Sequence, residues 1–279
     1  MKAGAISSPK AQRLALINVC LGQFMGALDA RSVIVALPTM SVYFGTEMET
    51  IQWIPLAYQL TMIGLVLSLG RLGDRIGRKK IYGWGYLIFI AGSAGCGLSA
   101  SLTQIILFRI IEGIGGAMVL ANGRAIVSAV YVREGRGKAL GVTSMAFHLG
   151  YIIGPSLGGL LVDFVGWRWI FFVNLPVALI AAIMAWKVLE ETVTRRSDYT
   201  IDPPGMVTLL GAVVSLILGL QQVAKAGLDI QAVACFSFFF LFSGLLVYFE
   251  KHVAAPLLEL GLFRTRVFTS GMISLFFVS

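Results

Sequence analysis

This chain reads as an all-α, polytopic bundle of membrane-crossing helices, on three grounds. Apolar residues make up 57% of the 279 and charged residues only 13%, which leaves too little polar surface to cover a water-soluble globule. Apolar runs of about 20 residues recur along the chain, each as long as a helix must be to cross roughly 30 Å of hydrocarbon. Basic residues gather in clusters that alternate with nearly uncharged loops. Backbone amides in lipid need partners within the structure, so crossings are helices or closed barrels, and no ten-residue alternation marks barrel strands. The formal net charge of +8 sits in those short clusters, a pattern that sets membrane orientation and argues against nucleic-acid binding.

Taken in order, the N-terminal Met1–Arg13 is polar and basic, and the first span, 14–38, follows without a small-residue cleavage site. It reads as a first crossing and not as a removable leader. Further spans are expected at 51–70, 81–101, 104–130, 139–162 and 167–189, the last opening on Trp167 and Trp169 as interfacial anchors. A polar, charged stretch, 190–203, then separates a later pair of spans at 204–222 and 231–249. The domain reading is a six-helix bundle at 1–189, a cytoplasmic linker at 190–203, two extra helices at 204–249, and a cytoplasmic loop at 250–267. An apolar run from Phe268 to Ser279 is too short for a full crossing, so it reads as the start of a ninth helix in a C-terminally truncated sequence.

Orientation follows from the arginines and lysines. Lys2, Lys10 and Arg13 precede the first span; Arg71, Arg75, Arg78, Lys79 and Lys80 follow the second; Arg133, Arg136 and Lys138 follow the fourth. Lys187, Arg195 and Arg196 follow the sixth, and Lys251, Arg264 and Arg266 the eighth, whereas the intervening loops hold only Arg168 and Lys225. Positive residues stay on the cytoplasmic side, so the N-terminus is expected inside a plasma or inner membrane.

Two glycine-bearing stretches have a physical use. In Gly70-Arg71-Leu72-Gly73-Asp74-Arg75-Ile76-Gly77-Arg78-Lys79-Lys80, glycines let two helix ends turn tightly while Asp74 accepts charge-assisted bonds from arginines or a helix N-terminus. That composition suits a conformational latch built from Gly70, Asp74, Arg75, Gly77, Arg78 and Lys79. A topogenic loop explains the basic residues but neither the acid nor the regular glycines. On the fifth span, Gly150, Gly154 and Gly158 form a small face beside Gly159, and Pro155 removes a backbone donor. Spacing alone fits a functional hinge and generic close packing equally.

Charged residues inside apolar spans are costly and point to function. If the first helix meets the outer face near Pro38, Arg31 lies roughly 10 Å and Asp29 roughly 13 Å below it. The fourth helix runs inward from Gln104, which puts Arg109 roughly 7 Å and Glu112 roughly 12 Å deep. All four share one layer. Arg109 and Glu112 can meet on one helix face, whereas Asp29 and Arg31 point apart, so cross-helix pairing is expected. Asp29 or Glu112 is then the candidate for taking up a coupling proton, with a charge-neutral structural network as the alternative. Gln23, Tyr58, Gln59 and Asn122 are polar groups on apolar helices and candidates for a substrate cavity; His148, near mid-membrane, is a further candidate for substrate contact or proton transfer, with a hydrogen-bonded packing histidine as the alternative.

The loop from Gly70 to Lys80 resembles the signature loop of the major facilitator superfamily of secondary transporters. Gly150-Tyr151-Ile152-Ile153-Gly154-Pro155-Ser156-Leu157-Gly158-Gly159 is similar to that family's fifth-helix antiporter motif, which marks exporters. Leu28-Asp29 through Ala36-Leu37-Pro38, Trp167 through Pro176, and Pro256-Leu257-Leu258 through Leu262-Phe263-Arg264 resemble the fourteen-helix drug:proton antiporter branch. The resemblance implies a six-helix N-terminal bundle, two linker helices and a missing C-terminal bundle. It also implies that the charged layer surrounds the transport path and that the fifth-helix motif is a hinge. That branch usually has a small hydroxyl residue, Asn and Gln where this chain has Arg31, Ile34 and Glu112, so Arg31 and Glu112 are expected to compensate each other.

The expected function is proton-coupled efflux of small amphipathic organic compounds by alternating access, with substrate, protons and lipid as partners. A half-transporter inactive alone, or a membrane-embedded binding or regulatory protein, is the alternative. No phosphate-binding GxxxxGK[ST] string, HExxH or G-x-S-x-G occurs, so a membrane enzyme is disfavoured and no cofactor is expected. Cys20, Cys96 and Cys235 lack paired spacing and accompanying histidines, so neither a metal site nor a disulfide is implied, and they read as small packing residues.

Overall fold

The computed structural model describes residues 8–131, 135–191, 203–252 and 270. Lys2, Arg133, Arg195, Arg196, most of the 190–203 linker, the Pro256–Arg264 motif and nearly all of 253–279 lie outside the described residues. Among the described residues there are ten helices: α1 (Pro9–Phe44), α2 (Met48–Ile51), α3 (Trp53–Ile76), α4 (Arg78–Leu98), α5 (Leu102–Val130), α6 (Arg136–Phe164), α7 (Trp169–Phe172), α8 (Asn174–Val188), α9 (Pro203–Ala226) and α10 (Ile230–His252). With α2 running into α3 and α7 into α8, they amount to eight segments long and apolar enough to cross a membrane. This is an all-α, multi-pass membrane protein.

Helix ends follow local chemistry. Ser8 caps α1 by accepting from the Ala11 amide, with Pro9 in the first turn where a missing N–H costs nothing. Helix α1 runs on past Pro38, its expected end, and stops at Gly45, whose φ of 62° permits the left-handed cap that returns amides to Ser41 and Val42. The sixth crossing starts as a short turn, α7, and restarts at Asn174, so that Pro176 falls in the first turn of α8.

The chain divides into two compact units, Met1–Ser197 and Asp198–Ser279. In the first, α1 packs mainly on α6 and also on α8, while α5 packs on α3 and α4. Exchanging the first three crossings for the next three maps one set of pairings onto the other, the pattern of an internal repeat. Two apolar clusters fill this unit: one centred on Tyr82, Tyr86 and Phe89, the other on Met40, Ile54 and Phe171. In the second unit, α9 and α10 form a helical hairpin, with the Gly211 and Gly219 positions set against Phe242 and Phe236.

Candidate functional site

Helices α4 and α5 touch almost backbone to backbone: a Cβ added at Gly92 would stand 2.5 Å from the Glu112 amide nitrogen. That approach seats Glu112 and, one turn earlier, Arg109 deep in the unit, opposite Asp29 of α1. Asp29, Arg109 and Glu112 are all fully buried. Arg109 Nη1 donates to Asp29 Oδ2 at 2.7 Å and to Glu112 Oε2 at 2.9 Å. Asn174, at the restart of the sixth crossing, donates to Asp29 Oδ1 at 2.9 Å. The guanidinium carbon lies 5.1 Å from the Tyr58 ring centroid and 4.9 Å from that of Phe171. Cys96 Sγ sits 3.7 Å from Glu112 Oε2, and among the described residues Glu112 Oε1 has no hydrogen-bond partner. Two carboxylates therefore share one cation, and a single proton makes the cluster electroneutral.

Arg31 is not part of this cluster. Its guanidinium lies 3.5 Å from the centroid of the Tyr151 ring on α6, so the expected compensation between Arg31 and Glu112 is not made: Glu112 is held by Arg109 instead. The reason is angular, since Asp29 and Arg31 lie about 200° apart around α1.

A cavity of about 300 Å³ lies between α1, α3, α5 and α6, and Gln23, Arg31, Tyr58 and Gln59 line it. Its remaining wall is mostly apolar, with Met25, Met62 and Phe147 prominent. Asp29, Arg109 and Glu112 are not among its lining residues; Tyr58, which lines the cavity and contacts Arg109, stands between. Asn122 and His148 are also outside it. Asn122 is buried against α3, donating to the carbonyls of Leu69 and Met118 beneath Gly73. His148 is exposed and its Nδ1 meets the Ser144 carbonyl at 2.7 Å, because it lies about 200° around α6 from the glycine face.

In the Gly70–Lys80 segment, Asp74 Oδ1 accepts from Arg78 Nε at 2.7 Å, and Arg78 Nη1 reaches the Ala125 carbonyl on α5 at 3.2 Å. Gly70 approaches Ala121 of α5. Gly77 joins α3 to α4 at φ 123°, a conformation side chains rarely adopt, and Glu191 lies where a Cβ would go. The Lys79 amide donates to Glu191 Oε1 at 3.2 Å, so an acid after the sixth crossing caps the N-terminus of α4. Arg75 is exposed. On α6, Gly154 and Gly158 meet Arg31 and Ser32 of α1, Gly150 meets Phe24, and Ser32 Oγ donates to the Gly154 carbonyl at 2.9 Å. Gly159 faces Val35 at ordinary contact distance, and α6 passes Pro155 unbroken.

Sequence reasoning missed Asn174, Glu191 and Tyr151 as partners. A polar residue inside the apolar stretch from Trp167 to Pro176 was the available signal for Asn174. Trp167, read as an interfacial anchor, is buried, packing beside Tyr43, Phe44 and Phe171 with the Arg168 guanidinium over it; Trp169 is exposed.

Residues 19–279 match the sequence model described as Major Facilitator Superfamily. The riboflavin transporter RibZ of Clostridioides difficile (strain 630) is 31% identical over 264 residues, covering 95% of this chain and 57% of its own. The multidrug transporter protein MdtP of Bacillus subtilis (strain 168) is 31% identical over 100% of this chain and 52% of its own. A putative multidrug resistance protein MdtD of Escherichia fergusonii is 33% identical over 95% of this chain and 56% of its own. The chain spans about half the length of the curated relatives it matches. Among solved structures, the peptide transporter POT in complex with sulfate has a TM-score of 0.58 at 15% identity, over 81% of this chain and 48% of that one, a likeness of fold.

Proposed function

The chain belongs to the Major Facilitator Superfamily, a family of transporters and not of enzymes, and on that premise we propose that it serves the proton-coupled export of small amphipathic organic compounds by alternating access. The observation that carries the proposal is the sealed cluster in which Asp29 and Glu112 share Arg109. With both acids ionised the cluster holds one net negative charge in a low-dielectric layer, and one proton removes it. Glu112 is the proposed carrier. Asp29 is held by both Arg109 and Asn174, whereas Glu112 shares the same Arg109 nitrogen and, among the described residues, keeps one oxygen without a partner. Tyr58 is the proposed link, since substrate pressing on its ring from the cavity presses on Arg109 behind it.

The remaining parts take supporting roles in this reading. Asp74 and Arg78 tie the turn between α3 and α4 to α5 and serve as the latch, with Gly70, Arg75, Gly77 and Lys79 shaping it. Gly150, Gly154, Pro155, Gly158 and Gly159 let α6 slide on α1 as the hinge. In this reading the N-terminus lies in the cytoplasm, which the distribution of basic loops supports. A second helix bundle faces the cavity and completes the substrate site. Multidrug names among the relatives support the choice of substrate class.

The test is efflux from proteoliposomes holding the complete protein as its cell makes it, with an imposed pH gradient. Glu112→Gln is expected to remove gradient-driven efflux while leaving downhill exchange. If that variant responds to the gradient as the wild type does, Glu112 is not the carrier, and if Asp29→Asn does so too, the cluster does not couple to protons.

A further inference from the structure

The cavity contains a charge that the cluster behind Tyr58 does not use. Arg31 lines it, with its guanidinium 3.5 Å from the Tyr151 ring centroid, and no Asp or Glu is among the lining residues. Asp29 and Glu112, the buried acids of the same unit's cluster, are already committed to Arg109. Among the described residues no carboxylate pairs with Arg31 and no hydrogen bond leaves it. A cation in an apolar membrane layer is costly, and a ring face offsets only part of that cost. Five N–H donors remain to be satisfied.

We propose that Arg31 makes this cavity a site for organic anions: amphipathic molecules with an apolar or aromatic body and one acidic group. The inference rests on reading the cavity as the site of the transported compound. The acidic group takes the guanidinium edge, where two parallel hydrogen bonds match its planar or tetrahedral oxygens. The body lies against the Phe147 ring and against Met25 and Met62, side chains that adapt to varied shapes, and Gln23 and Gln59 supply neutral polar contacts. Gly154 lets α6 close on the root of this side chain: a Cβ there would come within 2.7 Å of Arg31 Cβ, so the stem of Arg31 starts out packed against α6. A cationic compound of the same size meets like charge with no acid among the lining residues to balance it.

The experiment is calorimetric titration of the complete protein in lipid nanodiscs with three isosteric probes: naphthalene-2-acetate, its amide, and 2-(naphthalen-2-yl)ethylammonium. The acetate is expected to bind about tenfold or more tightly than the amide, with the ammonium weakest. Arg31→Gln is expected to bring the acetate down to the level of the amide, and Arg31→Lys to keep part of the preference. Equal binding of acetate and amide by the wild type, a preference that survives Arg31→Gln, or no binding of any probe overturns the proposal; the wild-type comparison decides even if Arg31→Gln does not fold. Flux of naphthalene-2-acetate under a pH gradient is measured in parallel. An intact anion preference without driven flux counts against proton-coupled export alone, and driven flux without the preference counts against the anion site alone.

Discussion

Asp29 and Glu112 converge on one nitrogen, Arg109 Nη1, at 2.7 and 2.9 Å. Removing the arginine and removing one acid are therefore unequal. Arg109→Leu strands two buried carboxylates and is expected to cost about 3–5 kcal/mol. Glu112→Gln leaves a one-to-one pair and is expected to cost far less. Thermal unfolding of the two variants in the same lipid measures the difference, and equal losses contradict the shared-cation arrangement.

Tyr58 separates the cavity from the cluster, which predicts its effect on reactivity. Glu112 is fully buried, so a hydrophobic carbodiimide is expected to label it slowly in the wild type and faster in Tyr58→Ala. Peptide mapping of the labelled site reads the result. Unchanged labelling means that another residue forms the wall.

Neighbouring glycines on α6 are predicted to differ. A methyl at Gly158 lands 2.8 Å from the Ser32 backbone, which cannot move aside as a side chain can, whereas the nearest atom at Gly159 is Val35 Cγ1 at 3.9 Å. Gly158→Ala is expected to destabilise by about 1–3 kcal/mol through overpacking. Gly159→Ala should stay within about 0.5 kcal/mol. Denaturation of both variants side by side checks the ordering.

Asp74 and Arg78 form a part-exposed pair at 2.7 Å, with side chains 33% and 18% accessible. Such pairs contribute about 0.2–1 kcal/mol, so Asp74→Asn should barely change the unfolding temperature. If the pair is a latch, the same variant slows efflux severalfold. Normal flux with normal stability leaves the topogenic role alone.

Asp229 lies between α9 and α10, outside the crossings, and caps α10. Its Oδ1 accepts from the Ala232 amide at 2.8 Å and its Oδ2 from Gln222 Nε2 at 2.8 Å. The amide bond, then the Gln222 bond, holds its carboxyl below the usual aspartate range. A lowered carboxyl stabilises the cap fully above the unfolded value of about 3.9 and loses that contribution as pH falls through the folded one. Carbon-13 titration of Asp229 is expected to show a midpoint below that of a free aspartate, with fraying of α10 beneath it; a midpoint at or above the free value contradicts the cap.

Much of this was legible in the chain. Hydropathy located the crossings, since each needs its own apolar length, and glycine spacing marked the α6 face that α1 covers. Spacing also put Arg109 and Glu112 on one helix face. Equal depth does not make Arg31 the partner of Glu112, because depth along a helix says nothing about rotation around it. Asn122 and His148 lie outside the cavity for the same reason, His148 being hydrogen-bonded to its own helix, and Asn174 and Glu191 meet partners 145 and 112 positions away.

That the protein is all-helical and crosses a membrane follows from the chain alone, because lipid forbids unpaired backbone and demands long apolar runs, and both are local properties. That Arg109 is claimed by two acids while Arg31 is left to the cavity follows only from how the helices pack. That division depends on the tilt and rotation of four helices, which are set by how closely glycines let their backbones approach.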